Sequence, residues 1–301
     1  MPPSSANAWK ILLIGKEGQV GRELSSLLKP FGELTLFGKE DLDLTQADRI
    51  REQLRNVQPH VIVNAAAYTA VDQAEEEPDL ALAINGTAPA ILAEEAKKLG
   101  AALVQYSTDY VFDGEKQEPY TEEDSPNPMG VYGRTKLAGD EAILSTGLPH
   151  LIFRTAWVYG LKGKNFLLTI QRLAKERDEL KIVDDQIGSP TWCLTIAQAT
   201  ANVLTQILPQ SSPGDLSRIE QASGLYNLVC GGQTSWFGFA QAILEASSSS
   251  QDTKLIPIPT SEYPTPAKRP KNSVLSTEKL RTAFGIAPPA WDVTLKYCLS
   301  R

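Results

Sequence analysis

Trp9-Lys10-Ile11-Leu12-Leu13-Ile14 is a short, mostly apolar run, and it breaks on Gly15-Lys16-Glu17-Gly18-Gln19-Val20-Gly21. Beyond the glycines, Leu24, Leu27 and Leu28 recur at helical spacing. The order is therefore strand, glycine turn, helix. Glycine lets a pyrophosphate approach the backbone, where its charge meets the helix N-terminus. Alone, such a turn also suits an ordinary loop; its place directly after the first strand is what gives it weight.

Working outward, Leu34-Thr35-Leu36-Phe37 reads as a second strand that ends at Gly38-Lys39. Sites for NAD place an acid here for the ribose 2'-OH, whereas a basic residue suits the 2'-phosphate of NADP. Gly38 offers no acid and Lys39 offers a positive charge, which favours NADP; the other reading of Lys39 is a solvated surface lysine. Thr45-Gln46-Ala47-Asp48 resembles a capping box opening a helix to about Gln58. His60-Val61-Ile62-Val63 is a continuous apolar run, as a central parallel strand requires. It ends in Asn64-Ala65-Ala66-Ala67-Tyr68-Thr69, whose small side chains suit a flat cofactor lying on the backbone or close helix-sheet packing.

A helical stretch from about Asp79 to Leu99 leads to a strand at Ala102-Leu103-Val104-Gln105-Tyr106, which delivers Ser107-Thr108-Asp109 to its carboxyl end. In open α/β sheets that edge is where ligands bind. Gly114 to Gly130 is a polar, proline-bearing loop whose length points to a functional flap. The helix from Tyr132 to about Ser145 puts Tyr132 and Lys136 on one face. A free tyrosine titrates near about 10. A neighbouring ammonium favours the phenolate, so the pair makes a tuned acid. The bare Tyr-x-x-x-Lys pattern is common, and two unrelated surface residues also satisfy it.

Past Tyr159, helices are expected over Phe166 to about Arg177, Thr191 to about Leu208 and Trp236 to Ala246, with strands at Leu180–Val183 and Leu225–Val229. Gln210 to Gln221 reads as a polar surface loop and Ser247 to Ser250 as a flexible connector. Pro264 to Ser273 carries Lys268, Arg269 and Lys271, which suits either a grip on a diphosphate or a solvated loop. The fold class is α/β: a Rossmann-type doubly wound parallel sheet with a smaller C-terminal lobe. Residues 1–160 form the dinucleotide domain, segments at about 191–230 return to it, and 161–301 form mainly the substrate lobe.

The chain has 301 residues, 42% hydrophobic and 22% charged, with a net charge of -7. That balance argues against a general nucleic-acid binder, which needs a basic face. Cys193, Cys230 and Cys298 are odd in number and lack metal-ligand spacing, so they read as reduced packing residues of a cytoplasmic protein. His60 and His150 stand before strand-type runs, which disfavours a zinc site or a histidine triad. No stretch approaches the ~20 apolar residues of a membrane span. Met1 to Asn7 lacks the regions of a signal peptide and reads as a frayed start.

Gly15-x-x-Gly18-x-x-Gly21, Asn64-Ala65-Ala66-Ala67, Ser107-Thr108-Asp109-Tyr110-Val111-Phe112-Asp113-Gly114 and Tyr132-x-x-x-Lys136 together resemble the extended short-chain dehydrogenase/reductases. More narrowly, the glycine turn, Tyr68-Thr69-Ala70-Val71-Asp72, Arg154-Thr155-Ala156-Trp157-Val158-Tyr159, Asp185-Gln186-Ile187-Gly188-Ser189-Pro190-Thr191 and Arg269-Pro270-Lys271-Asn272-Ser273 resemble the dTDP-4-dehydrorhamnose reductase family. The resemblance runs from about Lys10 to the C-terminus.

It implies that NADPH, or NADH, delivers hydride to C4 of dTDP-4-dehydro-6-deoxy-L-mannose, giving dTDP-L-rhamnose in the last step of its biosynthesis. Tyr132 would protonate the C4 alkoxide, Lys136 would hold the nicotinamide ribose and lower the tyrosine pKa, and Thr108 would orient the reacting oxygen. Asp109 and Trp157 would contact the sugar, with Arg269 in the substrate lobe. Gly18, Gln19 and Val20 would meet the pyrophosphate, Asp43 and Leu44 would border the adenine, and Ala67, Tyr68, Thr69 and Tyr106 would line the groove.

Some members dimerise around a metal held by glutamates. Glu23 matches one such position but Leu194 stands at another, so no metal is expected and the chain is a monomer or homodimer. Three rivals share the superfamily. A dehydratase would follow the threonine with Asp-Glu, and here Tyr110 follows Asp109. An epimerase would share Thr, Tyr and Lys but show no net oxidation. A non-catalytic NADP-binding regulatory subunit, similar to the beta subunit of methionine adenosyltransferase, would keep the fold; intact Thr108, Tyr132 and Lys136 favour an enzyme.

Overall fold

Apolar runs without polar alternation belong in the middle of a parallel sheet covered on both faces. The computed structural model describes residues 8–247 and 253–301. It places β1 (Trp9–Ile14), β2 (Gly32–Phe37), β3 (Val61–Asn64), β4 (Ala102–Thr108) and β5 (His150–Thr155) in one sheet with the strand Gly224–Asn227. Every neighbour is parallel, in the order Gly224–Asn227, β5, β4, β3, β1, β2. The strand order reverses between β1 and β3, which opens a crevice above their carboxyl ends.

Along β1 the side chains alternate between two cores. Ile11 and Leu13 pack with Leu24 of α1 (Gln19–Leu27) and with Ile196 and Leu204 of the helix Cys193–Ile207. Leu12 and Ile14 pack on the other face with Ile50 and Leu54 of α2 (Ala47–Val57) and with Leu92 further along. A third core, around Leu167, Ile170, Leu180, Phe239 and Leu295, joins the helices Phe166–Glu176, Trp236–Ala246 and Trp291–Leu299 to the parallel pair Glu179–Val183 and Lys254–Ile258. Cys193 and Cys298 lie in it, and all three cysteines are buried and unbridged.

Several local expectations need correction. Gln46, not Thr45, caps α2, and no side chain bonds there. Asp43 accepts both the backbone N–H and the hydroxyl of Thr45, so the residue expected to cap the helix is engaged upstream. The single helix expected from Asp79 to Leu99 is α3 (Pro78–Leu82), a π-turn at Ala83–Thr87 and α4 (Ala88–Leu99). Pro89 lacks the N–H that a regular turn would use, and Asn85 in the π-turn bonds the backbone of Tyr68 on both sides, Oδ1 accepting at 2.9 Å and Nδ2 donating at 3.0 Å.

The Gln210–Gln221 stretch runs into a short helix, Ser217–Ala222, whose Ile219 is buried against the first core. The Gly114–Gly130 loop is tied down: Tyr120 is buried, its N–H donates to Val274 O and its carbonyl accepts from Ser276 N, each at 2.8 Å. Met1 to Asn7, and the serine connector from Ser248 on, lie outside the described residues. Among the described residues, no helix is long and apolar enough to cross a membrane.

Leu13 is fully buried at the centre of this arrangement. Leu13→Ala is expected to lower unfolding free energy by about 2–5 kcal/mol in urea titration. A change within about 0.5 kcal/mol, typical of surface sites, would contradict this placement.

Candidate active site

The turn after β1 is built by backbone contact. Gly15 has φ 91°, and a Cβ there would stand 2.6 Å from Ala66 N; a Cβ on Gly21 would stand 2.0 Å from Gly15 O. Only glycine lets the loop press on the Ala65–Ala66 backbone while α1 closes over it. Gly18 is the N-cap of α1 without a side-chain bond, and the first turn carries no acid. The unpaired N–H groups of that end suit an anion.

Gly15, Gly18, Gln19 and Val20 form one end of a cleft of about 770 Å³. Lys39, Asp43 and Leu44 line one side, Ala67, Tyr68, Thr69 and Tyr106 the floor, and Thr108, Asp109, Tyr132, Lys136 and Trp157 the far end. Gly21 is absent from the lining because its role is the contact with Gly15. Arg269 is absent too. Its guanidinium donates to Asp72 Oδ2 at 2.7 Å and to Ala267 O at 3.1 Å, and lies over the Tyr110 ring. In this structure the arginine is engaged by protein groups.

The far end is held by α5 (Val131–Thr146) against β4 and β5. A Cβ on Gly133 would stand 2.2 Å from Tyr110 O, so α5 approaches the turn after β4 through a glycine. Tyr132 meets Tyr110 edge to face, with ring centroids 5.5 Å apart. Lys136 is buried, and its Nζ donates to Tyr106 O at 2.5 Å. One turn on, Asp140 Oδ2 accepts from Ser107 Oγ at 2.5 Å and faces Arg154 Nε at 3.9 Å.

Burial pulls Lys136 down to about 8, and the charge of Asp140 works against that fall. Burial pushes the Tyr132 phenol above its ordinary value, with Thr108 partly offsetting it and the charges of Asp109 and Asp140 adding to it. Burial sets the direction for the phenol, and Lys136 is not among the groups that shift it. Asp109 rises to about 7 through burial. Its Oδ1 accepts from Thr108 Oγ1 at 2.9 Å, while Oδ2 has no hydrogen-bond partner among the described residues.

Two features were not read from the sequence. Glu17 lies over Gly38, where a Cβ would stand 1.9 Å from its Oε1, so an acid and Lys39 share the end of β2. The motif showed both residues but not that the glycine makes room for the acid. Behind Trp157 stands Trp236, stacked on it at 3.5 Å. No sequence signal links residues so far apart. A backbone cradle that any side chain would fill, an acid-free helix end and a long cleft reaching a buried Tyr/Lys pair together fit a dinucleotide.

The family described as RmlD substrate binding domain matches residues 9–301. A curated dTDP-4-dehydrorhamnose reductase of Burkholderia thailandensis is 44% identical over 296 residues, covering 96% of this chain and 98% of that protein. The solved dTDP-4-dehydrorhamnose reductase of Clostridium acetobutylicum superposes with TM-score 0.88 at 39% identity, covering 96% of this chain and 98% of that one. The Bacillus anthracis reductase, solved in complex with NADP, gives TM-score 0.88 at 33% identity, with 97% and 99% covered. With its glycine cradle and Tyr132/Lys136 pair on one sheet edge, and with relatives matched over nearly their whole length, the chain belongs to the dTDP-4-dehydrorhamnose reductase family.

Proposed function

We propose that this chain is an NADPH-dependent oxidoreductase that reduces the C4 keto group of dTDP-4-dehydrorhamnose to give dTDP-L-rhamnose. The observation that carries the reading is the convergence of Thr108, Tyr132 and Lys136 at the end of a cleft that begins at the Gly15 turn. Bound NADPH supplies the hydride.

The protein's part is placement and one proton. The Gly18–Val20 backbone would hold the pyrophosphate, and Lys136 would hold the nicotinamide ribose by its ammonium. Thr108 accepts the Tyr110 N–H and donates to Asp109, which fixes its hydroxyl at the end of the cleft; turned from Asp109, that one proton would orient the substrate oxygen. Tyr132 gives its proton to the oxygen that becomes the C4 hydroxyl. The raised phenol suits this direction. It stays protonated at neutral pH, and a developing alkoxide, about as basic as hydroxide (conjugate acid near ~15.7), still takes its proton. Asp109 and Trp157 meet the sugar.

The same reading assigns residues 1–160 and about 191–230 to the cofactor and the rest of 161–301 mainly to the nucleotide-sugar. It places the protein in the cytoplasm, as a monomer or homodimer.

The assay is loss of NADPH absorbance with enzymatically made dTDP-4-dehydrorhamnose. Tyr132→Phe is expected to lower kcat by roughly 10²–10⁴-fold while NADP+ binding by calorimetry is retained; an inactive wild type or an unimpaired mutant refutes the mechanism. The Lys136 ammonium is present below about 8 and lost above it. Activity and NADPH affinity are therefore expected to fall as pH rises through that value. Asp140→Asn removes the charge that supports the ammonium and should move the falling limb to lower pH. A limb that stays in place, or moves up, counts against Lys136 as its origin.

A further inference from the structure

Among the described residues, only Gln58 and Trp157 combine a side chain with a positive φ, and Trp157 stands at 46° in the cleft. An L-residue is strained there, a bulky one most of all, and holds the conformation only where its surroundings impose it. Three groups outside the cleft lining do so. Trp236 stacks on the indole, with centroids 3.5 Å apart and planes at 6°, and is itself backed by Phe166 at 4.6 Å. Gly188 leaves the space the indole needs, since a Cβ there would stand 2.4 Å from Trp157 Cε2. Ser273 Oγ accepts from Trp157 Nε1 at 3.1 Å.

Ser273 is itself fixed. It is 2% exposed, and its N–H and hydroxyl both donate to Ile187 O, at 2.8 Å and 3.3 Å. The glycine, the second tryptophan and the serine come from three separate stretches of residues 161–301.

We propose that Trp236, Gly188 and Ser273 are positioning residues: they lock Trp157 in its strained conformation as a preformed wall for the sugar ring of the nucleotide-sugar. The proposal rests on the reading of this cleft as a nucleotide-sugar reductase site. Preorganisation of that kind acts on substrate affinity and leaves cofactor affinity alone.

The test measures KM for the nucleotide-sugar, KM for NADPH and kcat, with near-UV circular dichroism following the coupled indoles and calorimetry following NADP+. Trp236→Leu and Gly188→Ala are each expected to abolish the indole coupling and raise the sugar KM about tenfold, with NADPH KM unchanged; an aromatic contact and its geometry are worth about that factor. Trp236→Phe keeps a stacking face and should recover most of the loss. Ser273→Ala, the mildest change, should raise the sugar KM roughly two- to tenfold. Variants that bind NADP+ as wild type, lose the coupling and keep the wild-type sugar KM overturn the proposal. Trp157→Ala separates the layers. If it too leaves the sugar KM unchanged, the role of Trp157 has failed; if it raises that KM while the other variants do not, only the positioning has failed. A wild type inactive on the nucleotide-sugar removes both.

Discussion

A lysine ammonium at 2% exposure is the costliest group in the cleft. Burying a charge without partners is strongly unfavourable, so the surroundings of Lys136 are constrained. Tyr106 O, near the end of β4, takes one N–H. Asp140, one helical turn along α5, supplies the opposing charge and is held by Ser107 from β4 and faced by Arg154 from β5. These contacts pin the rotation and height of α5 against two strands. Tyr132, four residues before Lys136 on the same face, is placed by that rotation.

How much of this was readable follows from the range of each interaction. The run Trp9–Ile14 and the glycines after it announced β1 and its turn, because buried parallel strands and close backbone approach leave local marks. Tyr132 and Lys136 could be paired from sequence because helical spacing alone puts them on one face. What failed depended on competition or distance. Thr45 has capping chemistry, but Asp43 engages it first. Asp79 to Leu99 is helical by pattern, yet Asn85 is used to hold Tyr68. The charge of Arg269 was visible and its partner Asp72 was not. The direction of the Tyr132 shift needed the depth of the pocket, which no local motif reports.

The end of β2 shows the same limit. Lys39 alone argues for a 2'-phosphate, but Gly38 lets Glu17 of the glycine turn stand beside it. The corner therefore carries both signs. Lys16, which adjoins it, is paired with Asp41 at 2.5 Å. A reading of the strand end by itself sees half of that corner.

The residue after Asp109 bears on why a site with these parts reduces a sugar and does not dehydrate it. Elimination of water needs a second group that exchanges protons near neutral pH. Tyr110 occupies that place, and burial pushes its phenol up, so it keeps its proton despite the Arg269 guanidinium above the ring. Its ring instead braces Tyr132 edge to face, and its carbonyl lies against Gly133. The position is thus spent on bracing Tyr132. Asp72 holds Arg269, whose guanidinium lies over the Tyr110 ring. Arg269, read from sequence as a possible grip on the diphosphate, is thus held by Asp72 over the ring that packs on Tyr132.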